Sequence, residues 1–349
     1  MEQKSIPYID LSRIIITGGL NNDLHNHYLT TDILNNIKLI STQSSTEPYI
    51  YAHTHNKYIQ SIKNIAHGSF GDIDLAVRRT GSKYKKKEYI YIKKPKTQGE
   101  SLFREAYIQK LVHDTMQRYD IKATPNVYDI FSLRNESICF SMEKIQSSST
   151  LHDIITSKKI QSNELDVFVL KILLSLCHIL YILQKDIGFN HRDLKPDNII
   201  IINHETQKRT INVEGTSLEI TALFSPILID FGFSCIGSPS GKVFVSSGNV
   251  YSPSDPCPKD GRDLYILLSF LLAYIEDDVS VELKTMIISW LDADGKGTIP
   301  RFIRKHKKSN SYIQWIYFII GHPSIFSFAC TPTKIINDIV SSPLYNRLI

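Results

Sequence analysis

Residues 189–200 read FNHRDLKPDNII and follow closely on an apolar run, VFVLKILLSLCHILYIL, at residues 167–183. Within eight positions they set His191, Arg192, Asp193, Lys195, Asp197 and Asn198. A chain that only had to turn after a buried helix would need one or two such residues, not six in close order. Carboxylates accept protons and bind hard cations, an amide oxygen is a further cation ligand, and Lys or Arg meets negative charge. Asp230 sits in a second apolar run, PILIDFGFS (226–234). Upstream, AHGSFG (66–71) has glycines where backbone N–H groups can approach an anion.

These residues need a framework. The chain has 349 residues, 42% of them hydrophobic, enough for one large domain or for two lobes and an extension. A formal charge of +5 permits an anionic ligand without pointing to nucleic acid. Cys139, Cys177, Cys235, Cys257 and Cys330 are scattered, odd in number, and form no CxxC pair of the kind a zinc site or disulfide framework needs. Free thiols in a reducing, intracellular and cytoplasmic setting are the expectation. No basic stretch leads into a signal-length apolar run at the N-terminus. The 167–183 run carries Lys171 and His178, which predicts a buried helix, not a membrane span. The pairs His25/His27 and His53/His55 lack a Cys or carboxylate framework and read as no metal site.

Residues 1–62, rich in Asn, Thr, Ser, His and Ile, read as an N-terminal extension ending in a linker-like STQSSTEP. Residues 63–145 predict a small sheet-rich lobe. IAHGSFGDIDLAVRR and KEYIYIKK alternate like strands, joined through TGSKYKKK, and NVYDIFSL and ESICFSMEKI read as two more. Between the two pairs, Leu102, Ala106, Ile108, Leu111 and Val112 recur at helical spacing. Residues 146–349 are mainly helical, over 164–185, 263–275 and SYIQWIYFIIG. The fold class is therefore α+β.

At HRDLKPDN, residues His191, Arg192, Asp193, Leu194, Lys195 and Asn198 match the catalytic loop of the eukaryotic protein kinases position for position. The chain resembles that family over residues 63–345. The resemblance implies the bilobal kinase fold and transfer of the ATP γ-phosphoryl to hydroxyls of protein substrates, with Mg²⁺, or Mn²⁺ in its place, as the metal. Asp193 is then the group that orients the incoming hydroxyl and accepts its proton. Lys195 meets the charge of the transferring phosphoryl and marks the serine/threonine class. Asn198 and Asp230, the latter in Asp230-Phe231-Gly232, are the metal ligands. Ala66, His67, Gly68, Ser69, Phe70 and Gly71 resemble the glycine-rich loop over the phosphates, with Ala66 in place of the first glycine, and Ile73 falls over the adenine.

The lysine for the α- and β-phosphates has two registers. Lys93 puts Tyr91 where the family has a small residue against adenine; Lys94 puts Lys93 on the opposite strand face, where a charge is harder to bury. Lys93 is preferred. Glu105 matches its glutamate partner, Met142 to Ile145 resemble the gatekeeper and hinge with Glu143 and Ile145 bonding adenine, and Asp263 matches the residue that tethers the catalytic loop.

The departures are specific. Gln109 replaces an apolar residue that packs between the lobes, no Ala-Pro-Glu closes the activation segment (233–262), and residues 203–221 lengthen the hairpin or loop before Asp230. Arg192 is available in this reading to bind a phosphate on the activation segment. The basic runs at 83–87 and 301–308 read as solvated faces, so no specific nucleic acid or membrane partner is indicated. The Asn-, Ile- and Lys-rich usage resembles kinases of large AT-rich DNA viruses. Ala66, Tyr91, Gln109 and the missing Ala-Pro-Glu keep open an alternative, a catalytically impaired pseudokinase or scaffold; a small-molecule kinase of related fold is the second alternative.

Overall fold

The computed structural model describes residues 50–348, apart from 55–56, 68–70, 81–84, 98, 133–136, 147, 159, 249, 253, 293–294, 310, 323–324 and 326. Gly68, Ser69, Phe70, His25, His27, His55 and most of the expected N-terminal extension lie outside the described residues. The chain divides into two compact units. The first runs to Asp114 and resumes over Pro125–Ile145; the second comprises Thr115–Thr124 and the chain from Gln146 on.

In the first unit, β1 (Ile50–Thr54), β2 (Lys57–His67), β3 (Gly71–Thr80) and β4 (Lys86–Pro95) precede α1 (Phe103–Gln117), which is followed by β5 (Val127–Ser132) and β6 (Ile138–Glu143). They form one six-stranded sheet in the order β1-β2-β3-β4-β6-β5. The boundary expected at residue 62 therefore falls inside β2, which pairs along its length with β3. The polar, loop-like composition of the preceding residues hid this, because strand pairing is a long-range choice. Strand alternation sends Ile59, Ala76, Ile90, Ile92, Phe131 and Cys139 into one buried cluster. Phe103 and Ala106 of α1 join Val127, Ile130 and Phe140 in a second, and so fix the helix against the sheet.

The second unit contains β7 (Ser148–Thr150), α2 (Leu151–Thr156), α3 (Ser162–Ile187), β8 (Phe189–Asn190), β9 (Ile199–Val213), β10 (Thr216–Leu228), β11 (Cys235–Gly237) and β12 (Val243–Ser246). Then come α4 (Arg262–Ile275), α5 (Val281–Leu291), α6 (Thr298–His306), α7 (Ser311–Gly321) and α8 (Pro332–Val340). By length and composition α3 is apolar enough to cross a membrane, but 78% of its most apolar window is buried within the protein, as a core helix requires. It ends at Gly188 in the left-handed region, φ 60°, where a Cβ would meet the Gly237 carbonyl oxygen at 1.9 Å. The turn therefore admits only glycine, and it delivers the chain into β8.

The residues that lengthen the segment before Asp230 extend the β9–β10 hairpin, closed by Glu214 and Gly215 at φ 42° and 82°, the handedness a two-residue hairpin turn demands. Ile211, Val213, Leu218 and Ile220 are buried on it, so the extension is packed and not a solvated loop.

The expectation of free thiols fails at two of the cysteines. Cys235 and Cys257 are joined in a disulfide, while Cys139, Cys177 and Cys330 are free and buried. The separation of 22 residues gives no sign of the pairing. It arises because β11 pairs with β8 and the segment folds back to bring Cys257 against Gly237.

Candidate active site

In the first unit, fully buried Ile90 and Ile92 take one face of β4, so Lys93 falls on the other. Its Nζ lies 2.5 Å from Oε1 of Glu105 in the first turn of α1, with the two side chains only 8% and 4% exposed. Lys94 turns the opposite way. Its Nζ is 2.9 Å from Oδ2 of Asp74 on β3, which also accepts the Ser61 hydroxyl at 3.1 Å. Tyr91 shares the Lys93 face, and burial raises its hydroxyl pKa.

Around the glycine-rich turn, Ala66 pairs with Ile73 and His67 with Asp72. The His67 ring meets the Asp72 carboxylate at 3.0 Å. A Cβ on Gly71 would sit 2.5 Å from the Lys94 carbonyl oxygen, so the close approach of β4 demands glycine there. At the end of β6, the Glu143 N–H donates to Asn126 O at 2.8 Å, and Ile145 is buried. Gln109 is buried but well satisfied: its amide donates to Pro125 O at 2.9 Å and contacts Met142 Sδ at 3.7 Å. A polar residue at this apolar position of the family therefore ties α1 to β6.

In the second unit the loop after β8 is held from its backbone. Asp263, at the start of α4, accepts the N–H groups of His191 at 2.9 Å and Arg192 at 2.8 Å, and the Asn190 amide at 3.1 Å. Arg192 adopts φ 64°, uncommon for a residue with a Cβ, and this pair of bonds holds it there. His191 packs its ring against Phe231, 5.2 Å between centroids, and bonds Ile229 O at 3.0 Å. The loop thus presents Asp193 with its carboxylate already constrained. Oδ2 takes Lys195 Nζ at 3.0 Å and the Asn198 amide at 2.8 Å; that amide also donates to Asp193 O at 2.8 Å.

The β9–β10 hairpin brings the remaining pieces together. Leu228 pairs with Ile199, and just beyond, the Ile229 N–H donates to Asn198 O at 3.0 Å. Asn198 and Asp230 therefore flank the mouth of one hairpin. Asn198 gives its amide hydrogens to Asp193, so its remaining side-chain polar atom is the acceptor Oδ1, and Asp230 adopts φ 63°. Among the described residues no cluster of three His, Cys, Asp or Glu could cage a metal. An amide oxygen and a carboxylate are the oxygen donors that could hold a hard divalent cation whose other ligands are waters and phosphates.

The description Protein kinase domain matches residues 59–253, more than half of the chain. The chain belongs to the protein kinase family. Its sheet-rich first unit and helical second unit are the α+β architecture of the bilobal kinase fold. The chain is also similar to "Probable kinase 098L" of Invertebrate iridescent virus 3, at 28% identity over 100 residues. The match covers 28% of this chain and 18% of that protein.

The chain lacks Ala-Pro-Glu, and a buried charge cluster forms over residues 255–262. Asp255 binds Arg192 at 2.9 Å, Lys259 at 2.6 Å and Arg262 at 2.8 Å, all buried. Arg192 also donates to the Ser246 hydroxyl at 3.2 Å and lies 5.0 Å from the Tyr251 ring centroid. Burial, then the neighbouring Arg262, pull its guanidinium pKa down to about 10. The expected availability of Arg192 to a phosphate is therefore corrected: Asp255 already holds it. The sequence reading missed Asp255, Tyr251, Lys259 and Arg262, although SDPCPKDGRD set charges beside the apolar α4 as a visible signal. It also missed Tyr317 on α7, whose hydroxyl donates to Asp193 Oδ1, and for which no local pattern existed.

Proposed function

We propose that the chain is an active serine/threonine protein kinase that transfers the ATP γ-phosphoryl group to protein hydroxyls with Mg²⁺. The observation that carries this reading is the constraint on Asp193, whose Oδ2 is held by Lys195 and Asn198 within 3.0 Å while Asp263 fixes the loop backbone. A transferring phosphoryl needs a carboxylate to orient the incoming hydroxyl and cations to meet its charge, supplied without reorganisation. In this reading Asp193 orients the hydroxyl, Lys195 meets the phosphoryl charge, and Asn198 and Asp230 hold the metal, which supplies charge neutralisation on the phosphates when bound.

The buried Lys93–Glu105 pair supports the same reading. Two charges at 2.5 Å in a desolvated setting stabilise a fold no better than apolar residues of similar size, so stability does not account for the pair, which favours a functional role for Lys93 on the nucleotide phosphates. Ala66, Gly71, Ile73, Glu143 and Ile145 then serve the nucleotide's remaining contacts. The pseudokinase alternative finds its specific support in the Tyr317 hydroxyl on Asp193.

Purified protein incubated with Mg²⁺, γ-labelled ATP and a generic protein substrate is expected to yield phosphoserine or phosphothreonine. Asp193→Asn is expected to reduce the rate by roughly 10²-fold or more. Equal labelling by wild type and Asp193→Asn would overturn the proposal.

A further inference from the structure

Asp193 is buried, its side chain only 5% exposed, although the proposed reaction requires a substrate hydroxyl to reach it. One oxygen, Oδ2, is engaged by Lys195 and Asn198. The other, Oδ1, accepts the hydroxyl of Tyr317, which projects from α7 more than a hundred residues along the chain. Tyr317 is itself largely buried, and burial, then the charge of Asp193, raises its pKa well above the usual phenol value, so it stays a neutral donor. Tyr312, Ile316 and Ile320 of the same helix are buried and hold it in place. A neutral hydroxyl donating to Oδ1 is the interaction that a serine or threonine substrate would itself have to make. With Oδ1 engaged by Tyr317 and the side chain this little exposed, a second hydroxyl has to displace the first.

We propose that Tyr317 is a built-in cap on the catalytic aspartate: its hydroxyl stands where the substrate hydroxyl must bind, and phosphoryl transfer begins when the substrate displaces it. The proposal rests on the kinase reading. It makes α7 an autoinhibitory element, and it predicts that the cap competes with the protein substrate and not with ATP. Tyr317→Phe removes the donor and keeps the ring; Tyr317→Ala removes both.

The test has two arms on the full-length chain. In the first, steady-state transfer to a protein substrate is measured for wild type, Tyr317→Phe, Tyr317→Ala and Asp193→Asn. The cap predicts that Tyr317→Phe raises kcat/KM for the protein substrate by roughly tenfold, the weight of one hydrogen bond to a charged group, with the KM for ATP unchanged. A kcat/KM equal to or below wild type overturns it, since the hydroxyl would then support Asp193 instead of blocking it. The second arm needs no activity. Carbodiimide-driven coupling of an amine to carboxyl groups, mapped by mass spectrometry, is expected to leave Asp193 unmodified in wild type and to modify it in Tyr317→Ala. Equal modification in both overturns the cap. If no variant transfers phosphoryl, the kinase reading fails on the first arm, and the labelling arm still decides whether Tyr317 covers Asp193.

Discussion

Two adjacent lysines on one strand have different environments because successive side chains leave opposite faces of a sheet. Lys93 is buried against Glu105, whereas Lys94 reaches Asp74 from a partly exposed position. If the buried pair serves the phosphates, Lys93→Met is expected to lower phosphoryl transfer by on the order of 10²-fold, the scale of losing one preorganised charge contact. Lys94→Met should stay within about threefold of wild type in transfer, because Lys94 leaves the strand face opposite Lys93, and its cost should fall on stability through the buried Asp74. Circular dichroism alongside the kinetics keeps a folding defect from passing as a catalytic one. The opposite ranking would transfer the role to Lys94. The residues of HRDLKPDN and Asp-Phe-Gly were legible as a motif because their chemistry depends on close spacing. The lysine was legible only as a preference for Lys93, since the strand pattern tolerates either register, and the buried pair with Glu105 agrees with that preference.

At the scale of elements, the HRDLKPDN loop is positioned by what precedes and follows it. Helix α3 must stop and reverse into β8 at Gly188, and β9–β10 must carry the chain out and back so that Asn198 and Ile229 meet. Gly188→Ala tests the first requirement. It puts a Cβ on a left-handed residue and drives it to 1.9 Å from Gly237 O. A loss of about 2 kcal/mol or more is expected, from the left-handed strain plus the backbone clash. Chemical denaturation would detect it as a lower midpoint at unchanged slope. Retention of the wild-type midpoint would mean that β11 can move aside. Element types were largely legible, since α1, α3 and α4 declare themselves by apolar periodicity and β4 to β6 by alternation. The β1 and β2 strands were not, because their polar composition carries no period and their pairing with β3 supplies the order.

For the whole molecule, the chain passes between its two units three times, and the boundary is not a single cut. Thr115–Thr124 leaves the first unit and belongs to the second: Ala123 O accepts the Leu228 N–H at 2.7 Å, and the Tyr119 hydroxyl donates to Asp186 at 2.9 Å. A C-terminal piece that starts at Gln146 therefore lacks a segment its own core uses. It is expected to be recovered insoluble, or to melt by circular dichroism roughly 5 °C or more below the corresponding transition of the full chain. An unchanged transition would remove Thr115–Thr124 from that unit. The sequence boundary at 145/146 found where the helical unit resumes, but an excursion of ten residues that borrows its partners from distant strands leaves no compositional mark.

Sequence alone determined the HRDLKPDN and Asp-Phe-Gly motifs that mark the family, the α+β class and the order of most elements. Those features depend on neighbours a few positions apart, where spacing and periodicity act directly on the backbone. Tertiary structure alone decided the Asp255 cluster, the Cys235–Cys257 bond and the Tyr317 hydroxyl on Asp193. Each joins groups from separate elements. Which charge is paired, and which hydroxyl reaches which carboxylate, depends on what the assembled fold removes from water, and no local pattern encodes that desolvation.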